Sequence, residues 1–440
     1  MLPASTLFVL LYSRMDNLFA GNRRGLWYAT ASPFFVFFVI FGTLIYPMRE
    51  TLHPADVSSL SLLGWSPSGG GMDFVKSLMQ HWTFALFYVV AEVYSSVSIS
   101  ILFWQFANDV VPVTMSARFY PLFGQVSSLA PIVSGEYVRL FAAADGIDMD
   151  TSIWRVTAAV AVCGAAMMLL HHLYMTLAAA EAAREDRGSK GQAGSDKQKS
   201  KKPKPKLGMW ESIRFLVRSR YLGYLAVLVL SYGLSIQFTD IVWKSMVKRL
   251  HPDAISYQRY FAQFSGRVGA TTIVVIFFGS NIVKSKALGW RGGALLTPLI
   301  MGVLAAPFFW LILSGAAELS QGHLATVVAI GAVQSMLSKA TKNALFDPTT
   351  QMAYIPLDED SKVKGKAAID VLGSRFGKSG GALLQQALVM HFGSIVQASP
   401  MVALLFYLVL GSWLMAVSNL ATLFNEKTKA QQEAAAKKDE

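Results

Sequence analysis

The sequence predicts an all-α polytopic membrane protein built from two helical halves, on three observations. Of the 440 residues, 53% are hydrophobic and only 15% charged, against about 25% charged in a soluble domain, and the mean hydropathy is +0.41. Leu26–Tyr46 runs for 21 residues without a charge, enough to cross a bilayer core of about 30 Å. Of the 39 Lys and Arg residues, 26 fall in alternate loops and only seven in the loops between them, the asymmetry of cytoplasmic-type against translocated loops. The net charge of +12 is thus concentrated on one membrane side. No nucleic-acid partner is expected; the lipid bilayer is.

About eleven spanning segments follow in order. Leu2–Tyr12 is apolar but short. Leu26–Tyr46 and His81–Phe103 are long runs, the second interrupted only by Glu92. Pro121–Phe141 carries charges, but Pro121 suits a helix start because its φ is fixed and it has no N–H to leave unpaired. Ile153–Leu177 closes the first half. Tyr221–Val242, Val268–Val283, Gly292–Gly315 and His323–Phe346 are apolar runs of the second half. Ala367–Gly393 carries charges, and its Gly373, Gly377 and Gly381 recur every fourth residue, a small-residue stripe that lets helices approach closely. Pro400–Phe424 is the last. Lys342–Pro348 reads as a helix end followed by a proline turn.

Glu181–Lys206, rich in Lys, Gly, Ser and Pro, cannot bury a core and reads as a solvated linker. The expected organisation is an N-terminal helical half over 1–179, a basic flexible linker over 180–220, a C-terminal helical half over 221–424 and a charged tail over 425–440. Five segments precede the linker and six follow it. Secondary transporters are commonly built from repeated halves, so a twelfth helix is expected upstream of Met1, which would then be an internal methionine of a longer protein.

Cys163 is the lone cysteine, which excludes a disulfide framework or cysteine-rich metal site. The seven histidines show no zinc-ligand spacing, and His171-His172 reads as helix-end packing. No metal and no cofactor is expected. Gly377-Lys378-Ser379 is not a phosphate-binding loop, since Gly373 lies one residue too close and no strand precedes it. No nucleotide-hydrolysis motif is present, so transport energy would come from gradients or exchange. No enzymatic activity is expected.

Ionisable residues inside spans cost roughly 2.5–3.5 kcal/mol each on insertion scales and so mark a pathway or a pair. Glu92 lies mid-helix with no basic residue one turn away. Asp240 and Lys244 are four apart on one helical face. Lys339 and Lys342 are three apart, Lys366 and Asp370 four apart, with Arg375 and Lys378 on the glycine-rich stretch. Interhelical ion pairs would explain each singly. Together, many cations and few acids favour an anionic substrate.

Several stretches carry a resemblance: Leu-Leu-Tyr-Ser at 10–13, Arg-Phe-Tyr-Pro-Leu-Phe-Gly at 118–124, Val-Trp-Lys-Ser at 242–245 and Ser-Lys-Ala-Thr-Lys-Asn-Ala-Leu-Phe-Asp-Pro at 338–348. The longest is Met-Ala-Tyr-Ile-Pro-Leu-Asp-Glu-Asp-Ser-Lys-Val-Lys-Gly-Lys-Ala-Ala-Ile-Asp-Val at 352–371, followed by Gly-Lys-Ser-Gly-Gly at 377–381. With these the chain resembles, up to about residue 424, the ATP/ADP translocases of plastids and intracellular parasites. The resemblance implies twelve helices in a major-facilitator-like arrangement, of which about eleven are present. It implies exchange of ATP for ADP plus inorganic phosphate by alternating access, and a plastid (chloroplast) inner envelope. It matches the family's acidic residue to Glu92 and its motif lysine to Lys364 or Lys366. Where the family usually has Glu, this chain has Asp240, one methylene shorter.

On that resemblance Lys339, Lys342, Lys364, Lys366 and Lys378 are expected around the phosphates, where lysine supplies a point charge. Glu92, Asp240, Lys244, Asp370 and Arg375 are expected in coupling or gating. Tyr88, Tyr94, Trp104 and Phe346 are candidates to stack the adenine, with lipid-facing or core positions the plainer reading of each. The alternatives are a broader NTP or dNTP importer and a transport-inactive membrane scaffold.

Overall fold

Hydrocarbon offers no partner for backbone N–H and C=O groups, so a lipid-spanning segment must satisfy them within itself. The computed structural model is built that way. It describes residues 2–19, 22–54, 73–95, 99–111, 115, 119, 122–123, 125–188, 214, 218–284, 289–315, 320–357, 361, 365, 369 and 378–439, with no strand among them.

The principal helices are α1 Leu2–Leu18, α2 Arg23–Ile40, α3 Trp82–Val93, α4 Ile99–Val110, α5 Ala130–Tyr137, α6 Met149–Gly188, α7 Arg220–Leu250, α8 Ala254–Lys284, α9 Gly289–Leu313, α10 Gln321–Thr341, α11 Lys378–Phe392 and α12 Ser399–Asp439. Single π-turns continue α2 over Phe41–Ile45, α5 over Val138–Ala142 and α10 over Lys342–Phe346. Among the described residues, seven stretches are long and apolar enough to cross a membrane: Arg23–Ile45, Met149–Ala178, Arg220–Leu250, Ala254–Phe278, Gly289–Leu313, Gln321–Met352 and Ser399–Ala430.

Three boundaries differ from the hydropathy reading. Helix α6 continues to Gly188, into the stretch read as linker, because Ala, Glu and Arg at 178–187 are strong helix formers. Helix α12 carries the charged tail to Asp439 for the same reason. The turn anticipated at Lys342–Pro348 is instead a continuous helical path: the π-turn passes into Asp347–Met352, with Pro348 in its first turn, where the missing N–H costs nothing. Gly373 and Gly377 of the fourth-residue glycine stripe and most of the 352–371 motif lie outside the described residues; Gly381 lies in α11, where a Cβ would sit 3.1 Å from Gln237 Cγ of α7.

The chain divides into two compact units, residues 1–120 with 145–203 and residues 121–144 with 204–440. In the first, α2 packs on α6. The Trp27 and His171 rings stack at 4.0 Å, and the Tyr28 hydroxyl donates to the Met168 carbonyl at 3.1 Å. At the head of α6, the Asp148 carboxylate accepts from the Thr151 hydroxyl and N–H and from the Asp150 N–H. These bonds, the Thr151 hydroxyl above all, hold its carboxyl below the usual carboxylate range.

In the second unit, α7 packs against α10, α11 and α12, while α8 lies against α5 and α10. Half of the most apolar window of α7 and of Gln321–Met352 is buried, against 6% for α6, so α7 and α10 are the central helices here. The core around them holds Trp243, Phe238, Phe308, Met246 and Trp413, all fully buried. The Trp243 Nε1–H donates to the Val328 carbonyl at 3.0 Å, Tyr221 to Ala353 at 2.6 Å and Trp290 to Thr349 at 2.8 Å. Each bond gives an amphipathic ring its partner and ties two helices together. Phe277, Phe278, Trp310 and Val303 point outward, as lipid-facing residues do.

Lipid tails are as apolar as leucine, so close packing rather than hydrophobic segregation must hold helices together. Gly331 of α10 shows the consequence: a Cβ there would sit 2.4 Å from Trp243 Cδ1 and 2.7 Å from Phe308 Cε2. Gly331→Val should therefore lower stability by about 1–3 kcal/mol through overpacking. Thermal unfolding in detergent, followed by loss of the monodisperse chromatographic peak, checks this; an unchanged midpoint would mean the α7–α9–α10 contact is looser than described.

Candidate functional site

On α7, Ser231, Ser235 and Thr239 recur every fourth residue and are buried, with Asp240 next to the last. On α10, Gln334, Ser335, Ser338 and Thr341 are buried in the same manner. Threonine and serine in helices can bond the carbonyl one turn back: Thr239 does so to Ser235 and Thr341 to Leu337. Those two hydroxyls are supported from within their own helices, whereas Ser235 Oγ and Gln334 Oε1 are buried without a hydrogen-bond partner among the described residues.

Asp240 lies ten residues, roughly 15 Å, from the C-terminal end of α7. Lys339 of α10 reaches it with its Nζ 2.9 Å from Oδ2 and 3.2 Å from Oδ1. Ser335, one turn before Lys339, donates its hydroxyl to Asp240 Oδ1 at 2.6 Å and accepts from Lys339 Nζ at 2.9 Å. Lys244, the partner that i,i+4 spacing points to, stands at 4.0 Å, more exposed than Lys339. The ammonium of Lys339 also faces the rings of Phe264 at 5.2 Å and Trp243 at 5.9 Å, which favour a partly desolvated cation. Side-chain exposure is 14% for Asp240 and 29% for Lys339. The carboxylate is the deeper group, and the lysine keeps a path outward.

A second pair adjoins the π-turn of α10. Lys342 donates to Asp347 Oδ2 at 2.6 Å. Their spacing of five residues matches the i→i+5 repeat of a π-turn, so the local unwinding is what brings them together. Lys342 also faces the Tyr232 ring at 5.8 Å, and Tyr232 stacks on Phe346 at 4.9 Å with Trp413 edge-on.

Of the residues singled out from sequence, α7 and α10 thus bring Asp240, Lys244, Lys339 and Lys342 onto two adjoining helices. Glu92 is part-buried in α3 of the other unit, where its carbonyl accepts from Ser95. Lys364, Lys366, Asp370 and Arg375 lie outside the described residues, and Lys378 opens α11 with its side chain also outside them. Phe346 is 4% exposed inside the Tyr232–Trp413 cluster, a core position, and Tyr94 packs on Phe34, Phe35 and Phe38. Tyr88 and Trp104 are exposed. Sequence reading missed Ser335, Asp347 and the rings of Trp243, Phe264 and Tyr232. The signal for Ser335 was there, a Gln-Ser-x-x-Ser-x-x-Thr stripe in an otherwise apolar helix.

The arrangement can exchange one anion for another. A half-buried lysine held by a carboxylate and a hydroxyl is a cation with its counter-ion already in place, and a phosphate can compete for it through charge-assisted bonds.

A family profile described as "TLC ATP/ADP transporter" matches residues 1–424. The chain is 38% identical over 459 residues to ADP,ATP carrier protein 1 of Chlamydia muridarum, covering 99% of this chain and 83% of that protein. It is 36% identical over 439 residues to the chloroplastic ADP,ATP carrier protein 1 of Arabidopsis thaliana, covering 96% of this chain and 66% of that one. It is 32% identical over 444 residues to ADP,ATP carrier protein 1 of Rickettsia bellii, covering 95% and 83%.

The Asp240–Lys339 geometry predicts a double-mutant cycle. Lys339→Met leaves a carboxylate at 14% exposure without its main cation and should cost about 1–3 kcal/mol, less than the roughly 3–5 kcal/mol of a fully buried pair because this one is partly solvated. Asp240→Asn on top of Lys339→Met should recover most of the loss. Additive effects of the two changes on the unfolding midpoint would contradict the pairing.

Proposed function

The chain belongs to the TLC ATP/ADP transporter family, and from that premise we propose that it is a secondary-active antiporter exchanging ATP for ADP by alternating access. The observation that carries this reading is the Asp240–Lys339–Ser335 cluster on two central helices. It is a charged, part-buried and pre-neutralised cation site of the kind a polyphosphate needs within a membrane.

In the proposed cycle Lys339 is held by Asp240 and Ser335 while no nucleotide is present. A phosphate entering the site takes over Lys339, and Asp240 retains Lys244 as its nearest remaining cation. Lys342 would behave likewise toward Asp347. On the resemblance, Lys364, Lys366 and Lys378 complete the phosphate-binding set, and Glu92, Asp370 and Arg375 act in coupling. The shorter Asp240, in place of the family's usual Glu, would draw Lys339 closer to α7. Both partners of the exchange are anions of unequal charge. ATP carries about four negative charges and ADP about three, so a bare swap moves one charge at roughly 2.3 kcal/mol per 100 mV. We propose that inorganic phosphate travels with ADP and offsets this difference. We further propose a plastid inner envelope as the membrane, on the chloroplastic relatives of Arabidopsis thaliana and Solanum tuberosum; immunodetection in isolated envelopes tests it, and exclusive recovery elsewhere overturns it.

Reconstitution into liposomes tests the exchange. Labelled ATP should enter vesicles loaded with ADP and not empty ones; uptake indifferent to internal ADP would overturn the antiport. Lys339→Gln should lower the apparent kcat/KM for ATP by about 10–100-fold, the worth of one charge-assisted hydrogen bond. Lys366→Ala should abolish uptake while leaving the chromatographic profile unchanged. Asp240→Glu should alter the ratio of phosphate to ADP exported, read by double labelling.

A further inference from the structure

The second unit holds another group of charges away from the Asp240–Lys339 pair. A cleft of about 430 Å³ opens between α5 and α8, lined by Ile132, Glu136, Arg139, Gln263, Gly266, Arg267 and Ala270. Its volume lies within the roughly 300–1,000 Å³ of small-molecule sites. Arg267 sits within the membrane-length stretch Ala254–Phe278, where an arginine carries a substantial insertion cost. It makes no ion pair among the described residues. Arg139 sits in the π-turn that ends α5, and π-turns are frequent at functional positions. Its Nε and Nη2 both donate to Glu136 Oε2, at 2.8 and 2.6 Å.

The two helices cross closely through their glycines, and the cleft opens beside that crossing. A Cβ on Gly135 would lie 2.4 Å from the Ala262 carbonyl oxygen, so that crossing is as tight as two backbones allow. A Cβ on Gly266, one turn along α8, would meet nothing nearer than 3.9 Å. The Gly266 backbone itself takes part in the crossing, its N lying 3.1 Å from the same Cβ position on Gly135, while a Cβ of its own would make only ordinary contact with Ile132. Arg267 also follows Phe264 by three residues on α8, and the Phe264 ring faces Lys339. The cleft is thus one helical turn along α8 from the ring that supports the central lysine.

We propose that this cleft is a second oxyanion site, in which the Arg139 and Arg267 guanidiniums, with the Gln263 carboxamide, hold a phosphate group. Guanidinium is the side chain suited to planar, two-point recognition of phosphate, and two of them beside one carboxylate in the lining leave a net positive cleft. Glu136 is the resident counter-ion: it occupies Arg139 when the cleft is empty and yields it to the incoming anion. The ligand is free orthophosphate or the terminal phosphate of a nucleotide. The inference rests on the antiporter reading only for that choice of anion.

Equilibrium binding of radiolabelled orthophosphate, ADP and ATP to the purified full chain in detergent tests it. Arg139→Gln and Arg267→Gln should each weaken binding of at least one of these probes by about tenfold or more. Loss confined to orthophosphate identifies free phosphate as the occupant; loss confined to ADP and ATP identifies the nucleotide's terminal phosphate. Glu136→Gln should change affinity in the opposite direction, tightening binding several-fold, which a merely structural loss would not do. Gly266→Leu should block the site while Gly266→Ala, whose Cβ fits, retains it. Unchanged binding of all three probes in both arginine variants overturns the proposal, as does weaker binding in Glu136→Gln. Vesicle exchange by the unaltered chain is measured in parallel: its absence would overturn the antiporter reading, while normal exchange with unchanged binding in the arginine variants overturns the cleft site alone.

Discussion

A charge at membrane depth is stable only with a partner of opposite sign or a hydrogen-bonding cradle, and the second unit is organised around the place where that condition is met. Asp240 on α7 is met by Lys339, and Lys339 on α10 is met by Asp240, Ser335 and the two rings beside it. The same pair joins α7 to α10. In the register that brings Nζ and carboxylate to 2.9 Å, Trp243 bonds the Val328 carbonyl and packs against Gly331. Packing and function are not separable here. The tryptophan that fills the core three residues after Asp240 is also the ring the lysine faces.

Departures from regular α geometry recur beside charge. The π-turn of α10 begins at Lys342 and places it on Asp347; the π-turn of α5 contains Arg139; the π-turn of α2 leads to Tyr46 and Arg49, where Arg49 lies 4.4 Å above the tyrosine ring and pairs with Asp150 at 2.9 Å. An extra residue in one turn leaves the backbone ladder with a locally wider repeat. In lipid that irregularity is tolerable only where side chains or neighbouring helices enclose it. Each of the three lies against an adjacent helix of its own unit.

Much of the fold was legible in sequence because hydrocarbon imposes a one-dimensional rule. A span is a run of apolar residues long enough for the bilayer, and Leu26–Tyr46 and Pro400–Phe424 announce themselves by length. Less was legible where charge interrupts the run. Glu181 and its neighbours look like linker by composition yet extend α6, since helix propensity acts where burial does not. The aromatic candidates divided on burial, which no local pattern encodes: Phe346 is enclosed by Tyr232 and Trp413, while Tyr88 is exposed.

By itself the sequence determined that this is an all-helical membrane protein, because that follows from composition along single segments. Only the tertiary structure decided which charges meet. Asp240 was read beside Lys244, four residues away on its own helix, and its closer partner is Lys339, ninety-nine residues further on. Spacing reports neighbours along one helix axis. Pairing across helices depends on how their ridges pack, and here that is decided by the bulk of Trp243 against the absence of a side chain at Gly331.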